Sequence, residues 1–425
     1  MRILTILIVT FFLPFTVTSQ PLFDLNFHPK TLRMDFNHFG NADMERILFK
    51  EFQEESFWAG SRVNLIDTFR YGEYFVEMTD KSSDQVIYSR GFSSLFAEWR
   101  TLPEANFIEN IFYEVIKLPF PMHPVRIIIY KRNREMVFEE LFSIDYVPGE
   151  TLTRREKVRN YPVKHLLQNG EPAQKVDVVF IPEGYTKKDK KKFRDDAKRF
   201  MNYIVNWVPY KNYKSKFNFS IIEAWSIDSG TDIPHEDTWK STLLGSTFST
   251  FGMNRYISIT DIETMHDVAS LVPHDQIIVL VNSDAYGGGG IYNFYTVCTS
   301  DNENAEFLVG HEFAHAFAAL ADEYEAPSLN YSGYYVKGKE PERPNITTLD
   351  NFGMKWKHMV HDTIPVPTPE NEHYDNVVGV FEGALYQKEG VFRPFIDCSM
   401  RSALVDNFCP VCVKTIESFI QFNSK

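Results

Sequence analysis

The chain is short of positive charge. Its 425 residues hold 44 Lys and Arg against 57 Asp and Glu, a formal net charge of -13. Nucleic-acid phosphates require a basic surface, so this balance excludes nucleic acid as a partner. It also argues against partners that are themselves strongly acidic. Long apolar runs are missing except at the start, in "MRILTILIVTFFLPFTVTSQPLF". There one Arg precedes an apolar stretch from Ile3 to Val17, followed by the small residues Thr18 and Ser19. The run is short and holds Pro14, so it is expected to be a secretory signal over residues 1–19 and not a transmembrane anchor. No Cys lies near the cut to take a lipid. The expected mature protein is therefore soluble and exported: secreted, periplasmic or at the cell surface.

Cysteine is scarce too. The four cysteines, Cys298, Cys398, Cys409 and Cys412, all fall in the last third. An even count in an exported chain points to two disulfides. "CPVC" without a second such pair is a weak sign of a redox centre or a zinc knuckle. Cys409 and Cys412 are close neighbours, so they are expected to pair with Cys298 and Cys398 and not with each other. Internal repeats, low-complexity segments and a nucleophile elbow are absent from the sequence. "YGGGGIY" lacks the lysine of a phosphate-binding loop and is better read as a place where a strand or loop approaches another backbone closely, as the edge for an extended peptide would.

Aromatics are plentiful, with 37 Phe and 21 Tyr, and are expected to fill β-sheet cores. Residues 20–150 read as β-rich. "EYFVEMTD", "QVIYSRGF" and "VRIIIYKR" are short and aromatic or β-branched, and the last forms a hairpin with "MVFEELFSID". With no cluster of ligand-type residues there, a β-sandwich of structural or binding role is the expectation. Residues 151–174, with Pro-Gly breaks and mixed charge, read as a linker. From Lys175 the pattern becomes strand–helix–strand. "VDVVFIPEGY" is a buried strand, Thr186 and Asp189 form a capping box, and Phe193, Ala197, Phe200 and Ile204 mark a helix. "FNFSIIEAWSI" and "QIIVLVNS" are further strands. The expected architecture is α+β, with residues 175–425 as one catalytic domain.

The chemistry is concentrated in "HEFAHAFAALADEY". On a helix His311 and His315 lie one turn apart on one face, the spacing at which two imidazoles bind one Zn²⁺. Glu312 beside the first histidine is placed as general base toward water at the metal. Phe313, Phe317 and Leu320 face the core. The third ligand is less direct. The longer HExxHxxGxxH motif would need Gly at Ala318 and a ligand at Ala321, and alanine serves neither need. Were the helix to continue, Asp322 would lie roughly 16 Å from His311 along the axis, too far to share an ion. The chain must turn back after about Phe317 to bring in Asp322 or Glu323, or else a later residue such as Glu340 or Glu342 completes the site. Asp322 is favoured for its short side chain, leaving Glu323 a supporting or capping role.

These residues, with "DCSMRS" and "NFCPVC" downstream and "VDVVFIPEGYT", "SIDSGTDIP" and "GGGGIYNFYTVCTS" upstream, resemble the IgA-peptidase-like family of secreted bacterial zinc metallopeptidases. The resemblance runs from about Lys175 to the C-terminus. It implies a zincin-type, metzincin-like catalytic domain with a mixed sheet, and it makes the β-rich front an accessory domain. It implies an exported zinc endopeptidase acting on a protein or peptide substrate, with no particular substrate indicated. It places Met400 in a Met-turn beneath the ion. "SIDSGTDIPHED" is an acidic loop that could border the cleft or bind Ca²⁺. Tyr324, Tyr334 and Tyr335 are the candidates for stabilising an oxyanion. The competing reading is a surface adhesin or glycan-binding protein with a structural or degenerate metal site. Such a site has no need of Glu312.

Overall fold

The front half of the chain is β-structure, antiparallel except where β8 (Thr153–Arg155) joins β2 (Glu45–Glu55) in parallel. The computed structural model describes residues 22–157, 159–326 and 338–425. The expected signal segment, Tyr334 and Tyr335 lie outside the described residues. A short helix α1 (Phe23–Asn26) leads into β1 (Phe27–Gly40), β2 (Glu45–Glu55), β3 (Tyr74–Asp80) and β4 (Val86–Phe92). Helix α2 (Leu95–Trp99) precedes β5 (Asn110–Pro121), β6 (Val125–Arg132), β7 (Phe138–Tyr146) and β8 (Thr153–Arg155). They form two four-stranded sheets, β5-β1-β2-β8 and β4-β3-β6-β7. Tyr74, Val76 and Met78 of β3 and Val125, Ile127 and Ile129 of β6 turn the same way. They meet Leu32, Met34 and Phe36 of β1 in a shared core, as a period of two dictates. The expected β6–β7 hairpin is present.

The stretch read as a linker is built into both halves. Strand β8 pairs with β2, while β9 (Val163–Leu167) pairs with β11 (Phe217–Ile222) of the second half. Charge also crosses between the halves. Buried Arg33 donates to both oxygens of Asp35 at 2.7 Å and to Asp267 at 2.8 Å, the latter on α4 (Ile262–Ala269) of the second half. A fully buried guanidinium needs such carboxylates around it, and this arrangement fixes the halves against each other.

The second half is organised on a six-stranded mixed sheet of order β15-β16-β14-β10-β11-β9. Its strands are β9, β10 (Val176–Glu183), β11 (Phe217–Ile222), β14 (Gln276–Val281), β15 (Gly288–Ile291) and β16 (Tyr295–Thr299). The short pair β12 (Ser246–Thr247) and β13 (Ser258–Ile259) lies outside it. Strands β10, β11, β14 and β16 run parallel, and both edge strands are antiparallel. Every residue of β10 is buried because both faces are covered. Val176, Val178 and Phe180 face α3 (Lys190–Asn206), α5 (Ala305–Ala318) and α6 (Pro410–Asn423), while Val179 and Ile181 face α4 (Ile262–Ala269). The capping box at Thr186 and Asp189 is present, opening a 3₁₀ turn that runs into α3. A hairpin of β17 (Phe381–Ala384) and β18 (Gln387–Arg393) precedes α6. Among the described residues no helix is long and apolar enough to cross a membrane.

Candidate metal centre and peptidase cleft

Helix α5 is apolar on nearly every side, since it lies between the sheet and helices α3 and α6. Phe313, Phe317 and Ala314 are buried. Gly310 is small for a steric reason: a Cβ there would come 2.0 Å from the Trp207 ring. Gly290 of edge strand β15 lets the sheet approach the helix backbone. Its Cβ would lie 2.1 Å from the Glu312 carbonyl oxygen. The "GGGG" run is thus a close backbone approach, as expected, with the HExxH helix itself as the neighbour. The β15 edge is partly occupied at Gly288, which exchanges hydrogen bonds with Arg255 and Ile257.

The helix ends at Ala318, and Ala319 takes the left-handed conformation at φ 54° and ψ 24°, its N–H donating to His315 O at 3.1 Å. The reversal falls within two residues of where the sequence required it. It explains why Ala318 needs no glycine: the left-handed residue is the next one. Beyond the turn, Ala321 N donates to Asn345 Oδ1 at 2.8 Å, and Asn345 Nδ2 donates back to Ala321 O at 2.9 Å. Glu323 N donates to Met400 O at 2.8 Å. These bonds fix the strand-like segment that carries Asp322.

Three donor atoms converge there. His311 Nε2 lies 3.1 Å from Asp322 Oδ1 and 3.1 Å from His315 Nε2, and His315 Nε2 lies 3.4 Å from Asp322 Oδ1. A tetrahedral ion with ligands at about 2.0–2.1 Å sets its donors about 3.3–3.4 Å apart, so the spacing fits zinc. The outer ring nitrogens are committed elsewhere. His311 Nδ1 donates to Ser399 O at 2.8 Å and His315 Nδ1 to Leu320 O at 2.6 Å. With neutral rings both Nε2 atoms aim lone pairs at one point, a repulsive arrangement that a proton or a metal ion between them relieves. Tyr386 donates its hydroxyl to Asp322 Oδ2, leaving Oδ1 to face the histidines.

The electrostatics agree. Burial alone would raise the Asp322 carboxyl, but His315 and His311 hold it well below its usual range. Burial would lower His315, yet Asp322 and Glu312 outweigh it and push it up to about 9. The centre holds negative potential that a cation satisfies. Glu312 is raised, mainly by burial, against the opposing pull of the two histidines.

His311, Glu312, His315 and Asp322 line a cleft of about 380 Å³, together with Arg255 and Tyr286. Arg255 Nη2 donates to the Tyr324 hydroxyl at 3.0 Å across this space. Of the three expected tyrosines, only Tyr324 is among the described residues. Arg255, Tyr286 and Tyr386 carry no signal in the sequence. Each comes from a loop far from the motif, and only the fold brings them in.

Other expected ligands lie elsewhere. Glu340 Oε2 accepts from Thr347 Oγ1 at 3.0 Å and from Asn351 N at 3.1 Å, and Glu342 pairs with Arg343 at 3.0 Å. Glu323 points away from the histidines, toward Cys412. Met400 is fully buried, in the turn whose Ser399 carbonyl holds His311. In the acidic loop Asp228 accepts from Ser241 N and Asp232 from Lys240 N, so these carboxylates serve the loop's own backbone.

The disulfide expectation is corrected. All four cysteines are free thiols. Cys298 lies in β16 beneath α5, whereas Cys398, Cys409 and Cys412 gather around Glu323. The reason is local: Cys409 is the N-cap of α6, its Sγ accepts from Cys412 N, and the sulfurs of both lie within 4.8 Å of Cys398 Sγ and a Glu323 carboxylate oxygen. Neither sulfur is then available to Cys298.

The fold thus sets a HExxH helix, backed by a mixed sheet, along a cleft that Arg255, Tyr286 and Tyr324 also line. Residues 164–375 and 370–420 match the family model described as IgA Peptidase M64, and residues 22–143 match the one described as Peptidase M64 N-terminus. The chain belongs to the IgA peptidase M64 family, and so is a peptidase with protein substrates. No curated protein matches it.

Proposed function

We propose that the protein is an exported zinc endopeptidase. In this reading His311, His315 and Asp322 hold the ion, and Glu312 is the general base. The front domain (residues 20–150) is a β-sandwich, and residues 175–425 form a zincin-type catalytic domain. The observation that carries the reading is the convergence of three donor atoms within 3.4 Å, with both histidine Nδ1 atoms tied to carbonyls. Zinc, when bound, supplies Lewis acidity toward a peptide carbonyl and an attacking water.

The chain's own groups do the rest. The Glu312 carboxylate takes a proton from water as the water oxygen bonds to the peptide carbon. It then delivers that proton to the amide nitrogen as the C–N bond breaks. Its raised affinity for protons suits a group that must hold one between these steps. Arg255 and Tyr324 donate toward the carbonyl oxygen as it gains charge. Tyr386 orients Asp322. The open cleft favours catalysis over the adhesin alternative, since a structural site would be closed.

The test is Glu312→Gln in the mature protein, with casein as substrate. The variant should retain zinc at His311, His315 and Asp322 and lose at least about a hundredfold in kcat/KM. A variant that cleaves as fast as the parent would refute the base assignment.

A further inference from the structure

We propose a second metal site, distinct from the peptidase centre: a structural zinc held by Cys398, Cys409, Cys412 and Glu323. One ligand atom from each of the four lies within 4.8 Å of all the others. Glu323, Cys398 and Cys412 are 0 % exposed and Cys409 is 3 % exposed. Four zinc donors at about 2.3 Å for sulfur and about 2.0–2.2 Å for oxygen stand somewhat closer than this, so small side-chain rotations close the shell.

Three independent features of the cluster ask for a cation. The first is Glu323. Its Oε1 accepts from Asn345 Nδ2 at 2.8 Å and from the Cys412 thiol at 3.2 Å, but its buried Oε2 has no hydrogen-bond partner. A buried carboxylate whose one oxygen touches a group of three sulfurs and whose other oxygen has no partner is costly unless something positive meets it.

The second is the "CPVC" turn. Cys398 Sγ accepts from Cys409 N at 3.2 Å and Cys409 Sγ accepts from Cys412 N at 3.5 Å. Backbone N–H groups directed at sulfur stabilise thiolate over thiol, and the N-terminus of α6, a 14-residue helix, adds its positive end. The third is composition: three cysteines cannot all pair within one cluster, and the fourth, Cys298, lies apart in β16. A metal uses all three sulfurs. A disulfide uses two and strands one.

Soft thiolates in a four-donor closed shell select zinc over calcium or magnesium. Binding is balanced by proton release: three thiols give up their protons to solvent as three sulfur–zinc bonds form, and the carboxylate supplies the fourth bond. The site also explains how the peptidase centre is braced. Cys398 adjoins Ser399, whose carbonyl holds His311, and Glu323 adjoins Asp322. One ion would thus tie the turn behind the first histidine, the segment carrying the third ligand and the start of α6.

Metal content and cobalt spectra of the mature protein test this. The parent should hold two zinc per chain, and the His311→Ala/His315→Ala double variant should hold one. Cobalt added to the metal-free double variant should give thiolate-to-cobalt charge-transfer bands. Cys412→Ser should lose those bands if it folds, and the double variant keeps the question answerable if it does not. One zinc in the parent and none in the double variant would overturn the proposal. So would a disulfide among Cys398, Cys409 and Cys412 in non-reducing peptide maps. Because the double variant lacks the peptidase ligands, failure here is separable from failure of the peptidase reading, which the Glu312→Gln kinetics report.

Discussion

Gly290→Ala tests whether the sheet edge and the HExxH helix are in register for chemistry. The added Cβ would meet the Glu312 carbonyl oxygen at 2.1 Å, its carbonyl carbon at 2.9 Å and His315 Cβ at 3.0 Å. Two of these atoms are helix backbone, which cannot rotate away. A carbon–oxygen contact relaxes only beyond about 3 Å, so strand or helix must move by about 1 Å, and overpacking of this kind costs about 1–3 kcal/mol. For a domain of this size that is a fall in Tm of about 2–4 °C for each kcal/mol. Movement of the helix carries His311 and His315 away from Asp322, which sits on a separate segment beyond the turn. Movement of β15 instead strains the Gly288 contacts with Arg255 and Ile257. Either way Glu312 is displaced relative to the cleft, and a misplacement of about 1 Å costs about a hundredfold in rate. Gly353→Ala is the control, since a Cβ there meets nothing within 4 Å. Thermal unfolding with zinc and with EDTA, and kcat/KM on casein, are the measurements. A Gly290→Ala protein with parental Tm and activity within twofold would show that the close approach has no functional consequence.

Three further outcomes follow from single contacts. Ala319→Gly should stabilise by about 0.5–1 kcal/mol, because an alanine in the left-handed region carries a penalty that glycine avoids, partly offset by glycine's greater unfolded-state freedom. Ala318→Gly, at the last residue of the helix, should destabilise by up to about 1 kcal/mol, and urea titrations giving the two changes the same sign would misplace the turn. Tyr386→Phe removes the donor to Asp322 Oδ2 and should weaken zinc binding about 10–100-fold in chelator competition, with unchanged circular dichroism. Asp177 is pushed up to about 8, by burial first and then by Asp275. Its folded pKa exceeds its unfolded one, so its stabilising contribution is complete below about pH 4 and is lost as pH rises toward 8. Asp177→Asn should therefore flatten the fall in urea stability between pH 5 and pH 9, and parallel profiles would contradict the assignment.

What the sequence made legible follows from how local each cause is. The alternation in β3 and β6, the fully apolar β10 and the i, i+4 histidines are short-range patterns, and they map directly onto the structure. The need for a chain reversal was also legible, because a continuing helix would have carried Asp322 too far. Its position was offset because the residue that turns is an alanine, and nothing local marks Ala319 as left-handed. Leu385 and Tyr386 present the same difficulty. Both have positive φ, at 49° and 65°, where a two-residue hairpin turn would ordinarily use Asn and Gly. Their conformations are held by long-range bonds: Leu385 N donates to Asp322 O and Tyr386 N to Tyr324 O, both at 3.0 Å. No propensity scale reports such partners.

The cysteines show the limit most clearly. Counting and compartment favoured disulfides, which is a statement about averages. The arrangement depends instead on a cap at α6 and on a carboxylate arriving from the loop after α5, 86 positions before Cys409 in the chain. Adjacent residues, Asp322 and Glu323, have different partners, Asp322 the His311 imidazole and Glu323 the Cys412 thiol. The sequence reading treated them as rivals for one site. The fold gives each its own: Asp322 faces the histidines and Glu323 faces the sulfurs. Substitutions at the two positions should therefore separate, Asp322→Ala acting on the histidine centre and Glu323→Ala on the cysteine cluster.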